Sequence, residues 1–234
     1  MTHRKELILW AIIILTLISA QAISGEVNFV SREQVDLVKL LAPPPSDHSP
    51  QTQAEILELI QIQKTCTPQE KASAVLDDKI SVFQFASAIL GPKFTLANLP
   101  LTEEFFRHLA KDGISIFNVA KERWNRTRPF LVSTEVKACS DYAASGAYPS
   151  GHSIFGYMTA IVLADMVPEK KAEFFERAAQ YAGNRMVCGI HYRSDIEAGR
   201  IGGTVIAAFA MQNPRFQKEF EGVRKEVRKT LGLP

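Results

Sequence analysis

The stretch GAYPSGHSIFGYMTAIVLADM, Gly146 to Met166, decides how this chain is read. Pro149-Ser150-Gly151-His152 has the composition of a turn, and the residues after it are apolar around most of a helical circumference, so that helix belongs in a core. A histidine, a hydroxyl and a glycine therefore stand at the mouth of a buried helix. If the helix starts near Ser150, its first backbone N–H groups lack intrahelical partners and carry the positive end of the helix dipole, which suits an anion. Gly151 removes side-chain bulk that would hold an anion off the backbone. Taken singly, Ser150 is also an ordinary N-cap and His152 an ordinary first-turn residue.

Working outward, the pattern stays helical. From Gln51 onward AEILELIQIQ spaces its aliphatic residues at helical intervals, and Thr67-Pro68-Gln69-Glu70 is a capping box with proline at the first helical position. An apolar helix runs near Ile80 to Leu90 and stops at Gly91-Pro92. Thr102 is read as the cap of a long helix whose phenylalanines and aliphatics share one face as far as Arg128-Pro129, where the proline ring disfavours further helix. Helices follow over Ser150 to Met166, Pro168 to Met186, Asp195 to Met211 and Pro214 to Leu231. Period-two alternation is scarce, so the expected fold class is all-α.

With 234 residues, 46% of them hydrophobic, the chain can bury a substantial core, and its length favours one main domain. No internal repeat or low-complexity tract occurs. The net charge of +2, with cations and anions interspersed, gives no nucleic-acid footprint. The N-terminus carries Arg4 and Lys5, then an apolar run from Leu7 to about Ile18, then Ala20-Gln21-Ala22. This reads as a secretory signal peptide over residues 1–22, because about 14 apolar residues fall short of the ~20 that span a bilayer. No later segment is long and apolar enough for a span. Residues 23–50 are expected as an extended N-terminal segment, with the proline-rich LLAPPPSDHSP (Leu40 to Pro50) wrapping the surface, and residues 51–234 as one all-α domain. Export, to the periplasm or the medium, makes disulfides possible. Of Cys66, Cys139 and Cys188 an odd one is left over; Cys139 and Cys188 lie close to polar motifs and are the candidate pair, with three buried thiols as the competing arrangement.

Three polar clusters stand at helix ends. In KERWNRTRP, Lys121 and Arg128 are seven apart, about two helical turns, which puts both cations near one face; a solvated basic face is the plain alternative. The second cluster is the opening stretch. In NRMVCGIHYRSDIEAGR, Ser194-Asp195-Ile196-Glu197 reads as a capping box, Asp195 follows His191 by four and can hold one imidazole nitrogen, and Arg185 adds a cation. Together they supply two histidines, a carboxylate, three cations and an anion-binding helix start. That is the inventory of phosphoryl transfer without a metal: a nucleophile, an acid, an orienting group and positive charge for a transition state rich in anionic oxygen. No His/Asp/Glu cluster with metal-ligand spacing appears.

The pattern Lys121, six residues, Arg128-Pro129; then Pro149-Ser150-Gly151-His152; then Arg185, five residues, His191, three residues, Asp195 resembles the three-part signature of the phosphatidic acid phosphatase/vanadium haloperoxidase superfamily. The intervals between the parts, 19 residues from Pro129 to Pro149 and 31 from His152 to Asn184, also fit. Within it, GAYPSGHS, VCGIHYRSD and LLAPPP resemble the secreted bacterial class A non-specific acid phosphatases, over about Leu40 to Asn213. The resemblance implies an all-α bundle with a phosphate pocket at converging helix ends, phosphomonoester substrates, possible transfer to a second alcohol, no cofactor and a homodimer. It implies His191 as nucleophile, Asp195 as its support, His152 as acid and then base, and Lys121, Arg128, Arg185, Ser150 and Gly151 around the phosphate oxygens. Asn184 stands where the family has serine, and its amide is expected to donate to phosphate. Trp124, Tyr148 and Tyr192 beside the motifs either stack on a leaving group or pack internally. The rival readings are a lipid phosphatase, which resembles multi-span membrane proteins, a vanadate-dependent haloperoxidase, which is usually larger, and a phosphate-binding module without catalysis.

Overall fold

The computed structural model describes residues 27–139 and 145–234, so the expected signal peptide lies outside the described residues. Within them all regular structure is helical: α1 (Leu37–Leu40), α2 (Pro50–Thr65), α3 (Pro68–Leu76), α4 (Val82–Leu90), α5 (Pro100–Trp124), α6 (Pro129–Val132), α7 (Gly151–Met166), a 3-10 turn (Pro168–Lys170), α8 (Lys171–Val187), α9 (Arg193–Ala210) and α10 (Pro214–Leu231). No helix among the described residues is long and apolar enough to cross a membrane.

The helix of the opening stretch, α7, is the central one. Ile154, Met158, Val162, Leu163 and Met166 are all buried, which is why its apolar residues surround it instead of forming a stripe. It packs mainly on α8 and α9. The approach of α9 depends on two glycines one turn apart: a Cβ on Gly199 would lie 2.6 Å from the Ser150 carbonyl oxygen, and one on Gly203 would lie 2.5 Å from that of Ile154. Larger residues there would push the start of α9 off the start of α7.

Local signals set most helix ends. Thr67 accepts from Glu70 N at 3.2 Å while the Glu70 carboxylate accepts from Thr67 N at 2.7 Å, the capping box read from sequence. Asn213 caps α10, Ser81 caps α4, and Gly91 and Gly232 follow α4 and α10 with positive φ.

Both ends of α5 differ from the sequence reading. Helix α5 begins at Pro100, not after a Thr102 cap, because the Glu226 carboxylate on α10 accepts from Leu101 N, Thr102 N and the Thr102 hydroxyl at 3.1, 2.9 and 2.7 Å. It ends at Trp124, where Asn125 adopts a left-handed conformation (φ 40°), and so stops short of Arg128.

The N-terminal segment is also more than a surface wrap. Ala42 to Pro50 does run along the outside, but Phe29, Val30, Val35, Leu37 and Leu41 are in the main core. Their entry depends on Asp112, a buried carboxylate on α5 that accepts from the backbone N–H groups of Asn28, Phe29 and Val30 at 3.0, 2.6 and 3.1 Å. Backbone donors that would be unpaired in a core are satisfied from a distant helix.

Candidate active site

The three polar clusters meet where helix ends converge, and backbone hydrogen bonds hold those ends together. Ser150 N donates to Asp195 O at 3.0 Å, Ala147 N to Arg126 O at 2.9 Å and Ile190 N to Arg185 O at 3.1 Å. Ser153 Oγ donates to Ile196 O at 2.7 Å. The start of α7, the start of α9, the loop after α5 and the loop after α8 are therefore fixed relative to one another.

His191 lies in the loop between α8 and α9 and is buried. Its Nδ1 is 3.2 Å from Asp195 Oδ2, and its Nε2 is 3.3 Å from Arg128 Nη1. Both partners select one tautomer: a carboxylate accepts only, so Nδ1 carries the hydrogen, and a guanidinium donates only, so Nε2 keeps its lone pair. Burial, then Arg128, Lys121, His152 and Arg185, hold the imidazole well below its ordinary range, which keeps it neutral. Asp195 sits in the first turn of α9 and is itself the capping carboxylate: Oδ2 accepts from Tyr192 N at 2.9 Å. The helix starts at Arg193, so Ser194 lies inside it and does not cap it. Burial pushes the Asp195 carboxyl up, against the opposing pull of Arg126, the Tyr192 N–H and Lys121.

The cations reach the site by separate routes. Lys121 projects from the last turns of α5 and donates to Gly146 O at 2.7 Å; burial, helped by Arg128, brings its ammonium down to about 7, with Asp195 opposing. Arg128 caps no turn of α5. The break at Asn125 separates it from the helix that bears Lys121, so the two do not share a helical face, and the turn brings them together instead. Arg128 also donates to Ile190 O at 2.9 Å and Ser145 O at 3.2 Å. Arg185, fully buried near the end of α8, donates to Asp78 Oδ1 at 3.2 Å and to the Ala74 carbonyl.

At the mouth of α7, Ser150 caps its own helix by accepting from Ser153 N at 3.3 Å, which leaves its hydroxyl hydrogen available to a ligand. Gly151 has a packing reason as well as an access reason: a Cβ there would lie 2.9 Å from the Phe117 ring on α5. His152 Nε2 is 3.1 Å from the Asp78 carbonyl oxygen, so Nε2 carries the hydrogen and Nδ1 is the atom that gains and loses a proton. Burial and Arg185 lower its imidazole to about 4, with the Asp78 carbonyl opposing.

The structure decides several points that the sequence left open. The Asn184 amide donates to Asp77 Oδ2 at 2.7 Å and is also in reach of Ser73 Oγ, so it ties α8 to the α3–α4 loop, where Arg177 pairs with the same carboxylate. Tyr148 and Tyr192 are buried packing groups. Tyr148 meets Trp124 edge-on at 5.1 Å and donates to Ala42 O, and Tyr192 lies under Arg126. Cys139 and Cys188 form a disulfide with Cα atoms 4.7 Å apart, and Cys66 is free.

Two further residues support the site from outside the motif positions. Asp78, in the α3–α4 loop, touches both His152 and Arg185, and nothing in its local sequence marks it. Arg126 bonds Asp195 directly; it lies inside the quoted KERWNRTRP cluster, and that position was the available signal.

The site is a neutral imidazole with one nitrogen held by a carboxylate and the other unprotonated among cations, carried on an all-α scaffold and suited to an anionic ligand. The PAP2 superfamily matches residues 110–219. The chain is 32% identical over 170 residues to a non-specific acid phosphatase of Salmonella typhimurium, covering 69% of this chain and 67% of that protein. It is 28% identical over 220 residues to an acid phosphatase of Zymomonas mobilis, covering 91% and 83%, and 30% identical over 148 residues to a non-specific acid phosphatase of Providencia stuartii, covering 61% and 60%. The chain belongs to the PAP2 superfamily.

Proposed function

We propose that this protein is an exported acid phosphatase that hydrolyses phosphate monoesters through a phosphohistidine on His191. The observation that carries the reading is the pair of contacts that leaves His191 Nε2 without a hydrogen and places its Nδ1–H on Asp195. The relatives named as acid phosphatases support the reaction class, and the Cys139–Cys188 disulfide supports export.

In the first half-reaction the Nε2 lone pair attacks phosphorus, the bond to the leaving oxygen breaks, and the proton on His152 Nδ1 passes to that oxygen. The phosphorylated imidazole is cationic, and the Asp195 carboxylate compensates it. In the second half-reaction His152 takes a proton from water as its oxygen attacks phosphorus, the P–N bond breaks, and the electron pair returns to Nε2. An alcohol in place of water turns hydrolysis into transfer. Lys121, Arg128, Arg185, the Ser150 hydroxyl and the Gly151 N–H neutralise the equatorial oxygens.

His152 is neutral in the empty site over most of the acid range, yet it must enter the reaction protonated. A bound phosphate dianion reverses the local charge and raises the imidazole, so substrate brings the acid into its working state.

Rapid quench of the mature protein with labelled p-nitrophenyl phosphate, followed by peptide mapping, tests the assignment. Label on His191 is expected. Label on His152 reverses the roles, and turnover with no label under any condition replaces the covalent route with direct attack by water.

A further inference from the structure

Arg126 is one of the most enclosed charges in the protein, and its guanidinium is held on three sides. Nη1 donates to Asp195 Oδ1 at 2.6 Å and to Ser194 Oγ at 2.7 Å. Nη2 donates to Glu55 Oε2 at 3.0 Å and to Thr52 Oγ1 at 3.2 Å. Its face lies 3.8 Å from the centre of the Tyr192 ring. The side chains of Arg126, Glu55 and Asp195 are 1%, 9% and 0% exposed.

The result is a buried charge relay of fixed geometry: His191, Asp195, Arg126, Glu55. Asp195 has both oxygens committed, Oδ1 to Arg126 and Oδ2 to His191 Nδ1 and Tyr192 N. Glu55 is anchored in turn by Ser194, whose N donates to Oε1 and whose Oγ donates to Oε2, both at 2.9 Å. Without Arg126 two carboxylates would face each other in the interior, and one would take up a proton. A protonated Asp195 cannot compensate a cationic phosphoimidazole.

We propose that Arg126, with Glu55 as its counter-charge, is the positioning residue that keeps Asp195 ionised and aimed at His191. The inference rests on the phosphohistidine reading. It also assigns a task to α2, which carries Thr52 and Glu55 and lies outside the three motifs. A planar fork is required because one cation must satisfy two carboxylates and two hydroxyls in a single plane while stacked on a ring; a lysine ammonium has the charge without the fork.

The ionisation of Asp195 also answers to Lys121 and Arg128 from the α5 end, His191 from the α8–α9 loop, and the hydroxyls of Tyr148 and Tyr192. These groups are common to all the variants below, so differences between variants report Arg126 and Glu55.

The test uses the full mature protein and three variants: Arg126→Met, Arg126→Lys, and the double variant Arg126→Met/Glu55→Gln, which removes the uncompensated carboxylate along with the cation. For the Met variants the acid limb of kcat is expected to move to higher pH by about 1–3 units, with KM little changed, because an arginine partner depresses an aspartate by that amount. Arg126→Lys should keep the limb near its original pH and lose kcat by about 10- to 100-fold, the loss typical when the hydrogen-bond partners that orient a metal-bound histidine are altered.

A purely structural role would reduce the yield of folded protein without moving the limb. Wild-type limb and kcat in the folded double variant, or in Arg126→Lys if the Met variants do not fold, overturn the inference while leaving the phosphatase reading intact. The 15N shifts of the His191 ring give a readout independent of turnover. The Nδ1–H tautomer is expected in wild type and a mixture in the Met variants, and an unchanged tautomer there counts against the inference even if wild type proves to have no phosphatase activity.

Discussion

If a dianion recruits the acid, ligand binding and proton uptake must be coupled, and sulfate isolates that coupling because it remains a dianion above about pH 3. In the empty site His152 titrates at about 4. At pH 5.5 only about 3% of it is protonated, whereas Lys121, at about 7, is already almost fully charged and contributes little change. An opposite charge within hydrogen-bonding range raises a histidine by about 1–3 units, so the bound state should titrate between about 5 and 7. The bound state thus holds more protons than the free state over that window, and affinity must fall as pH rises through it. With the bound value near the top of the range, sulfate should bind up to about tenfold more weakly per pH unit between pH 4.5 and 6. Calorimetry at pH 5.5 in two buffers of different ionisation enthalpy should find an uptake approaching one proton per sulfate. His152→Ala should flatten the affinity profile. A flat profile in the unaltered protein would refute the idea that the ligand recruits the acid.

The two histidines should separate by leaving group. His191→Ala should abolish turnover of all phosphomonoesters, whereas His152→Ala should cripple alkyl phosphates yet form a phosphoenzyme from p-nitrophenyl phosphate, whose phenolate leaves without a proton; equal loss on both substrates would contradict this. Because Lys121, Arg128 and Arg185 supply the positive charge, activity should survive EDTA and be blocked by vanadate, and abolition by EDTA with rescue by a divalent ion would sink the mechanism. Thiol titration of unfolded, unreduced protein should count one cysteine, Cys66, and three after reduction. Reduction should also lower activity, since the bridge anchors the segment that leads into the His191 loop, and full activity with three free thiols would refute that dependence.

The sequence by itself determined the helices and the chemistry at their ends. Periodicity, caps and glycine stops are local, so the core helix after Ser150, the Thr67 capping box and the Gly91 stop could be read directly. The His191–Asp195 contact was legible for the same reason, because four residues at a helix start bring two side chains within reach.

Tertiary structure alone decided how these ends are supported, because hydrogen bonds between distant residues leave no period in the chain. Glu226 caps α5 from 124 positions away. Asp112 draws the N-terminal segment into the core, and the Asn184 amide is tied to Asp77, 107 positions away. Lys121 and Arg128 meet through a left-handed Asn125 that a helical count across the break could not foresee. Arg126 bridges Asp195 and Glu55 across separations of 69 and 71 positions, a contact that forms only when folding takes all three charges out of water and brings two distant carboxylates to one guanidinium.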